Sequence, residues 1–275
     1  MPFSIIVPVH NEANQVRRTA ACLLAGLPTD AEIVFCCNGC TDESSAILAD
    51  VAQGRALILE TPEAAKAGAI RLAERHTSSF PRFYIDADVE VRGADLTRLA
   101  TALIDGEAEL VAPKIVYDLR GTSCAGRAIH ETALSLPHLQ GAAFHHVLGV
   151  SENGRRRWTD IPDISADDAF IEAHIPPELK RIVAGVEVTV RPPRTFWASV
   201  LVQERWIRGH IELSALGIDR PRSAGQLKAL IRRCLAPATA LPASVYLAAR
   251  SAATLLSALP PRRSTRWYRD ATSRR

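Results

Sequence analysis

The stretch FYIDADVEV (residues 83–91) places two carboxylates one residue apart at the end of an apolar run. The apolar run predicts a buried strand, and in a strand residues i and i+2 point to the same side. The side chains of Asp86 and Asp88 are therefore expected to face one site. Because two like charges at such a short distance repel each other, the stretch predicts a positive partner at the end of this strand.

Two oxygen ligands with no adjacent basic residue suit a hard divalent cation, Mn²⁺ or Mg²⁺. A cation held by Asp86 and Asp88 would remove their repulsion and would in turn hold a diphosphate. The alternative is a solvated loop that carries acids by chance, since D-x-D occurs often. Glu90 follows Asp88 by two residues and would point to the same side in a strand. It lies beyond the strand end, however, and we assign it no role.

The sequence before this strand alternates short β-branched runs with helical patterns. Strands are predicted from the runs SIIVPV (4–9), EIVFCC (32–37) and ALILE (56–60), and helices from residues 14–27, 44–53 and 63–76. This alternation is typical of βαβ units that form a parallel sheet covered by helices on both faces. Ligands of such sheets collect at the carboxyl ends of the strands. Polar clusters stand at these ends, at residues 10–12, 38–42 and 86–88.

The next hundred residues are less regular. A helix is predicted over 95–105, a strand over 109–117, a strand over 185–193 and a helix over 198–216. Between them, residues 120–180 are rich in Gly, His and Pro and show no clear periodicity. We therefore predict an α/β fold with a mostly parallel twisted sheet flanked by helices.

Charge is distributed unevenly along the chain. The net charge is +3, yet residues 217–275 contain twelve Lys or Arg and two Asp or Glu, a net of +10, which leaves −7 for residues 1–216. This asymmetry predicts an anionic partner for the C-terminal segment. The segment contains a short basic amphipathic helix, LKALIRRCL (227–235). An Arg-rich tail with no aromatic stacking platform beside it does not predict nucleic-acid binding.

Residues 238–259 are mostly apolar and long enough to cross a bilayer, but Pro242 and Arg250 interrupt them. An arginine at the centre of a membrane span costs about 2.5–3.5 kcal/mol. We therefore expect a helix that lies on a surface or packs on the protein. An anionic membrane surface is the predicted partner, and a helical cap packed on the rest of the chain is the alternative.

Four motifs follow one another in the first ninety residues: SIIVPVHNE (4–12), NGCTDES (38–44), the Lys66 segment KAGAIRLA and YIDADV (84–89). Together they resemble the family 2 glycosyltransferases of the GT-A fold, and the resemblance extends from residue 3 to about residue 210. It implies a GT-A catalytic domain over 1–216, with a nucleotide-binding half (1–115) and an acceptor half (116–216). Residues 217–275 would form a basic, amphipathic, helical C-terminal segment.

The resemblance implies a donor site for a nucleotide-diphosphate sugar, with a UDP-sugar favoured. Its nucleotide-binding residues would be Pro8, Glu12, Asn38, Asp42, Lys66 and Asp86. The alternative for Asn38 and Asp42 is turn and helix-cap chemistry. Lys66 would neutralise phosphate as a point charge, and its alternative is an exposed helix lysine. The family often has Asn where Arg71 stands, and Cys40 replaces the commoner Ser.

The acid pair Asp167 and Asp168, in ISADDAFI, resembles the catalytic pair of the inverting family 2 enzymes, with Asp168 as the general base. Glycosyl transfer with inversion needs a base for the acceptor hydroxyl while the diphosphate leaves from the opposite face. The alternative is a pair of acids that stabilises a helix N-terminus through the macrodipole. The metal would be held by Asp86 and Asp88, with His210 as a third ligand; a packed surface histidine is the alternative.

Acceptor-binding residues are predicted in the stretch LQGAAFHHVLGVSENGRRRW, where Gly141 would let the backbone approach a sugar and Trp158 would offer a ring for stacking. The alternative is a surface turn with solvated arginines. Arg205 and Arg208 lie three residues apart on one predicted helix and would contact diphosphate. The Q-x-R-W stretch is one residue short of the Q-x-x-R-W motif of processive synthases, which we therefore exclude.

The sequence as a whole predicts a metal-dependent, inverting glycosyltransferase with an unidentified glycan or lipid-linked acceptor. The alternatives are a non-catalytic nucleotide-sugar-binding or scaffold protein, and a sugar nucleotidyltransferase. The second should carry a Gly-rich signature after the first strand, where this chain has VHNEANQ. Nothing resembles a signal peptide, and the six cysteines show no second pair at zinc spacing. We therefore predict reduced thiols and a cytoplasmic protein, peripheral on the inner face of the membrane.

Overall fold

The computed structural model describes residues 2–136, 144–218 and 225–260. Within these residues the strands are β1 (Ser4–Val9), β2 (Glu32–Asn38), β3 (Leu57–Thr61), β4 (Arg82–Ile85), β5 (Leu110–Tyr117), β6 (Val147–Val150) and β7 (Lys180–Val190). The helices are α1 (Val16–Leu24), α2 (Ser44–Ala52), α3 (Lys66–Glu74), α4 (Gly93–Ile104), α5 (Cys124–Leu134), α6 (Glu152–Arg155), α7 (Asp167–His174), α8 (Phe196–Ala215), α9 (Gly225–Leu235) and α10 (Ala240–Ser257).

The seven strands form one sheet in the order β3-β2-β1-β4-β6-β5-β7. Strand β1 is parallel to both β2 and β4, and β2 is parallel to β3. Strand β6 is antiparallel to β4 and to β5. The predicted mostly parallel sheet with flanking helices is confirmed. Because β1 to β4 run in the same direction, the residues that follow them lie along one edge of the sheet.

The central strands β1 and β4 are mostly apolar because both of their faces are covered, and the exceptions are the first residue of each, Ser4 and Arg82. All six residues of β1 and all four of β4 are buried, whereas the edge strand β3 is partly exposed. Phe3, Phe35 and Phe83 are among the largest fully buried side chains, and the rings of Phe3 and Phe83 pack edge to face. The acidic pair thus follows a strand that lies in the hydrophobic core.

Several element boundaries differ from the sequence prediction, among them the starts of α3 and β7. Helix α3 begins at Lys66 instead of residue 63, because Ala65 is extended (φ −139°, ψ 108°). Strand β7 begins five residues before the predicted strand, at Lys180. The irregular region 120–180 contains α5, β6, α6 and α7, of which β6 and α6 are only four residues long.

The chain divides into two compact units. The described part of the first comprises residues 2–116 and 144–190, which include most of the sheet and α1 to α4, α6 and α7. The second comprises residues 117–136, 191–218 and 225–260, in which α5, α8, α9 and α10 share an apolar cluster around Val200 and Tyr246. This division groups α8 with the C-terminal helices. The functional boundary at residue 216 stays a prediction.

The C-terminal helices α9 and α10 are present as predicted. Helix α10 packs its small residues Ala243, Ala249 and Ala253 against α5 and α8. Among the described residues, no helix combines the length and the apolar character that a bilayer crossing requires.

Candidate active site

The candidate site lies at the sheet edge where the parallel strands end, and Asp86 is at its centre. Asp86 follows the last residue of β4, and the antiparallel partner of β4 begins directly opposite, with Ile85 paired to Val147. The residue before Val147 is His146, and its carbonyl oxygen accepts a hydrogen bond from the Asp86 backbone N–H (2.9 Å). Strand pairing therefore places His146 beside Asp86.

Both carboxylate oxygens of Asp86 have cationic or N–H partners. Lys66 Nζ lies 2.8 Å from Oδ1, and His146 Nδ1 lies 2.8 Å from Oδ2. Burial disfavours the charged carboxylate, but Lys66 and His146 outweigh that effect and hold the pKa of Asp86 well below its usual range. Lys66 thus supplies a positive partner for Asp86.

Lys66 also pairs with the predicted catalytic region. Its Nζ lies 2.8 Å from Asp167 Oδ2, so one ammonium group connects the end of β4 to the start of α7. Burial alone would lower the pKa of Lys66, but Asp167, Asp86 and Asp168 raise it above its ordinary value. The lysine therefore remains charged, and the alternative of a freely exposed helix lysine is not what the structure shows.

Asp167 and Asp168 differ in their surroundings. Asp167 is 5% exposed, and its burial, together with the nearby charges of Asp168 and Asp86, raises its pKa to about 6 in spite of Lys66. Asp168 is half-buried, and its Oδ1 accepts a hydrogen bond from Ala169 N at 2.7 Å. Both acids lie in the first turn of α7, where the helix macrodipole favours negative charge. A helix-terminal role and a catalytic role are therefore compatible.

A recess at this edge collects several of the predicted residues in one place. Its lining includes Pro8, Lys66, Tyr84, Asp86, His146, Asp167 and Asp168. Asp88 lies three residues beyond the end of β4 and is exposed. Because β4 ends at Ile85 and a turn closed by the hydrogen bond from Val89 N to Asp86 O (3.2 Å) follows, the prediction that a strand aligns the Asp86 and Asp88 side chains was wrong. The structure thus brings three predicted features to a single cavity: the donor-side acid Asp86, the phosphate-binding Lys66 and the catalytic pair Asp167 and Asp168.

The loops after β1 and β2 are joined by hydrogen bonds. Asn11 Oδ1 accepts from Thr41 N (2.7 Å), Asp42 Oδ2 accepts from Ala13 N (3.0 Å), and Ser44 Oγ accepts from Glu12 N (2.7 Å). Asp42 Oδ1 also accepts from the backbone N–H of Ser44 (3.1 Å), an Asx turn that supports the turn alternative, whereas the N-cap position of α2 is Glu43 and not Asp42. These contacts hold the two loops in a fixed relation at the rim of the site.

Two of the predicted nucleotide-binding residues are covered by protein. Glu12 is 4% exposed and accepts a hydrogen bond from Gln15 Nε2 (2.8 Å), and Asn38 is fully buried and donates to Val9 O (2.8 Å). Gly39, which follows, has φ +55°, and a Cβ there would lie 2.8 Å from the backbone of Ala64. Glycine is therefore required at this turn. Nucleotide contacts of Glu12 and Asn38 stay predictions.

Trp158 does not present a ring face to solvent. It is 6% exposed, and its ring packs against Phe170 and His174 at centroid distances of 6.3 and 5.8 Å. Arg155, from the same predicted loop, makes a two-point ion pair with Glu74 at 2.7 and 2.8 Å. This burial does not support acceptor stacking by Trp158, which stays a prediction.

The remaining predicted residues are either outside the described residues or in the second unit. Gly141 lies outside the described residues. Arg205, Arg208 and His210 are on α8, in the second unit. Arg208 pairs with Glu204 and donates to the carbonyl oxygen of Leu256 (2.9 Å). The diphosphate and metal roles of these three residues stay predictions.

Residues of the site that sequence reasoning missed are His146, Asn11 and Ser44, and Arg71 was left in doubt. Arg71 donates to Asp163 Oδ1 (2.7 Å) and thereby ties α3 to the segment that leads into Asp167. His146 is 60 residues from Asp86 in the chain, so no local pattern could have paired them. Asn11 and Ser44 lie inside the quoted motifs, where their short polar side chains were the available signal.

The carboxylates after β4 form a donor set that fits a divalent cation. Asp86 and Asp88 offer hard oxygen ligands, which Mg²⁺ and Mn²⁺ prefer. Within the described residues, no three His, Cys, Asp or Glu side chains lie together as a ready metal-binding cluster. Because Mg²⁺ usually keeps several waters and is held by one or two carboxylates plus substrate phosphates, two acids are a sufficient protein contribution.

Solved structures of similar fold are GT-A glycosyltransferases. A mannosyltransferase from Pyrobaculum calidifontis, in complex with GDP-Man and Mn²⁺, is 19% identical over 94% of this chain and 76% of its own (TM-score 0.61). Glucosyl-3-phosphoglycerate synthase of M. tuberculosis is 17% identical over 80% of this chain and 82% of its own (0.55). S. aureus TarS with UDP-GlcNAc is 11% identical over 93% of this chain and 92% of its own (0.55). These likenesses establish a fold of the GT-A class.

The family follows from the sequence. The profile of glycosyl transferase family 2 matches residues 4–190, which contain every residue that lines the recess. The chain belongs to glycosyl transferase family 2, as its four motifs predicted. No curated protein sequence gave a significant match.

Proposed function

We propose that this protein is a metal-dependent, inverting glycosyltransferase that moves a sugar from a nucleotide-diphosphate sugar to a hydroxyl group. A UDP-sugar is the favoured donor, and the acceptor is a cell-envelope or lipid-linked glycan. The observation that carries the proposal is the double ion pair of Lys66, whose ammonium lies 2.8 Å from both Asp86 and Asp167. The residues assigned to the donor and to proton removal thereby share one recess.

Each group of the recess has a chemical task in this proposal. Asp168 takes the proton of the acceptor hydroxyl, which makes the oxygen a better nucleophile. Asp167 and Lys66 form a buried ion pair that holds the start of α7 in place. The Lys66 ammonium lies at the edge where the parallel strands end. When a donor binds there, this ammonium can neutralise charge on its phosphates. A base and a phosphate-binding cation are the two groups that a single-displacement transfer requires of the protein.

The metal in this proposal is Mn²⁺ or Mg²⁺, held by the carboxylates of Asp86 and Asp88. When bound, such an ion stabilises the negative charge that develops on the departing diphosphate. Asp88 is the more accessible of the two acids, whereas both oxygens of Asp86 already contact Lys66 and His146. Asp88 is therefore the residue whose loss should affect metal binding most directly.

We expect Asp88→Asn to raise the Mn²⁺ concentration needed for half-maximal sugar transfer at least tenfold. The wild-type protein with Mn²⁺ should be stabilised by a UDP-sugar in a thermal-shift assay, because a ligand at 100 times its Kd contributes about 2.7 kcal/mol. Chelation with EDTA should abolish that shift and the transfer reaction, and Asp88→Asn should weaken Mn²⁺ binding measured directly by titration calorimetry.

Glu90→Gln is the matched control for Asp88→Asn. Glu90 lies two residues after Asp88, where it pairs with Arg18 at 2.8 Å. This variant should keep the metal dependence of the wild type. Full transfer activity in excess EDTA would contradict the metal assignment, and the absence of a thermal shift with any UDP- or GDP-sugar would contradict the donor assignment.

The C-terminal segment is proposed to rest on an anionic membrane surface. Helix α10 exposes Leu241 (76%) and Leu255 (73%), and the only charged side chain between residues 240 and 257 is Arg250. On α9, Lys228 and Arg232 are exposed beside Ile231 and Leu235. An uncharged exposed face next to basic residues is the composition of helices that lie in a membrane interface. Each Lys or Arg near an anionic surface adds about 1 kcal/mol of attraction.

We expect the full-length protein to sediment with vesicles that contain phosphatidylglycerol and to remain in the supernatant with pure phosphatidylcholine vesicles. The double variant Leu241→Glu/Leu255→Glu should lose most of this binding, because it places charge on the face that would enter the lipid interface. Leu57→Glu, at an exposed leucine of β3 (43%), is the matched control and should bind like the wild type. Equal sedimentation of all three proteins would contradict the membrane proposal.

A further inference from the structure

We propose that His146 is a positioning residue that fixes the Asp86 carboxylate in the orientation needed to bind the donor. This inference rests on the proposed function, since it concerns the same site. It adds a residue that no sequence motif predicted and assigns it a defined effect on donor affinity. Its evidence is the backbone conformation of His146 and the contacts of its imidazole.

The backbone of His146 is in the left-handed region, with φ +66°. Non-glycine residues occupy this region at an energetic cost, and such residues concentrate at functional sites. Glycine would adopt the same conformation without strain. The presence of an imidazole at a position that suits glycine indicates that the side chain has a task.

The contacts of His146 define that task. Its Nδ1 lies 2.8 Å from Asp86 Oδ2, and its carbonyl oxygen accepts from Asp86 N at 2.9 Å. The ring of His145 packs against it edge to face, with centroids 4.4 Å apart. A neutral imidazole that carries its proton on Nδ1 donates this bond, so no change of protonation is required.

Asp86 is consequently held from two sides. His146 orients one carboxylate oxygen, and Lys66 contacts the other. If donor binding draws the Lys66 ammonium toward phosphate, the contact with His146 is the one that keeps the carboxylate from rotating. Misplacement of a binding group by about 1 Å can cost up to 100-fold in rate, so such a support has a measurable effect.

The test compares two substitutions that separate the imidazole from the backbone. His146→Asn keeps an N–H donor near the position of Nδ1 and tolerates positive φ. His146→Gly removes the donor and relieves the backbone. In the presence of Mn²⁺, we expect the Kd for UDP, measured by calorimetry, to rise about tenfold in His146→Gly and to stay within about threefold of wild type in His146→Asn. In transfer assays the donor KM should follow the same order, while kcat changes less than about threefold.

Gln53→Gly is the control for the backbone effect. Gln53 also has positive φ (46°) but is an exposed residue at the end of α2. Its replacement should change thermal stability by an amount similar to His146→Gly and leave UDP affinity unchanged. A merely structural role of His146 would instead produce altered stability with an unaltered Kd.

The outcomes separate this inference from the proposed function. Equal UDP affinity of wild type and His146→Gly, or equally weak binding by His146→Asn and His146→Gly, would overturn the positioning role. A wild-type protein that binds UDP but transfers no sugar would overturn the proposed function and leave the calorimetric comparison valid. Absence of binding to both UDP and GDP by the wild type would overturn the positioning role together with the donor assignment.

Discussion

Replacing Asp168 with asparagine should lower kcat for sugar transfer by about 10²–10⁴-fold, the range that removal of a general base produces. Asparagine has nearly the same shape but cannot accept a proton at neutral pH. The hydrogen bond from Ala169 N to Asp168 Oδ1 can be retained by the amide oxygen, so the start of α7 should stay folded. The donor KM should change little, because the donor-side acid is Asp86. Initial rates at saturating donor and acceptor measure the effect.

Asp163→Asn is the matched control for Asp168→Asn. Asp163 lies five residues earlier, has a largely exposed side chain and pairs with Arg71. The same change of charge there should leave kcat within about threefold of wild type, since an exposed ion pair contributes little. A kcat of Asp168→Asn that also stays within threefold would show that another group accepts the proton. A loss confined to the donor KM would move Asp168 to the donor side.

Replacing Lys66 with methionine should impair both stability and activity. Methionine has a similar length but no charge, so Asp86 and the buried Asp167 would lose the ammonium that lies 2.8 Å from each of them. Removing one partner of a buried ion pair typically destabilises a protein by about 3–5 kcal/mol. Because these groups retain some contact with solvent, we expect the lower end of that range. We expect kcat/KM to fall by about 10²–10³-fold, as for the loss of a preorganised electrostatic contact.

Two further variants sharpen the Lys66 experiment. Lys114→Met removes an exposed lysine that pairs with the exposed Glu187, and it should leave both the free energy of unfolding and kcat/KM almost unchanged. Lys66→Arg keeps the charge but not the geometry, so it should recover stability more fully than activity. Chemical denaturation and steady-state kinetics measure the two effects. Unchanged stability and kcat/KM in Lys66→Met would refute the central role of this lysine.

The parts of the fold that sequence reasoning predicted are those encoded by local patterns. Buried strands such as β1 and β4 are apolar in all but their first residue, and this distinguished them from the amphipathic helices between them. The start of α3 was misplaced because Ala64 packs closely on Gly39, a contact between distant segments that helical periodicity does not reveal. Region 120–180 was not resolved into elements because β6 and α6 are only four residues long.

Most residues of the candidate site were predicted from the sequence, but the contacts between them were not. The acids at 86, 88, 167 and 168 and the lysine at 66 were named from their motifs, and the family match supports the motifs themselves. Their mutual contacts were not predicted. Lys66 was expected to face phosphate, and the structure shows that it also pairs with Asp86 and Asp167. Trp158 was expected to offer a ring face for stacking, yet its ring is buried against Phe170.

By itself, the sequence determined the family, the α/β fold and the presence of two acids at the end of a core strand. These properties depend on residue order and on the apolar runs that mark buried strands, which are local. Only the tertiary structure decided which side chains contact Asp86 and connect it to the rest of the site. His146 reaches Asp86 through the antiparallel pairing of β4 with β6, and Lys66 reaches Asp167 because α3 and α7 both begin at the same sheet edge. Contacts between segments far apart in the chain depend on strand order and direction, which no local pattern specifies.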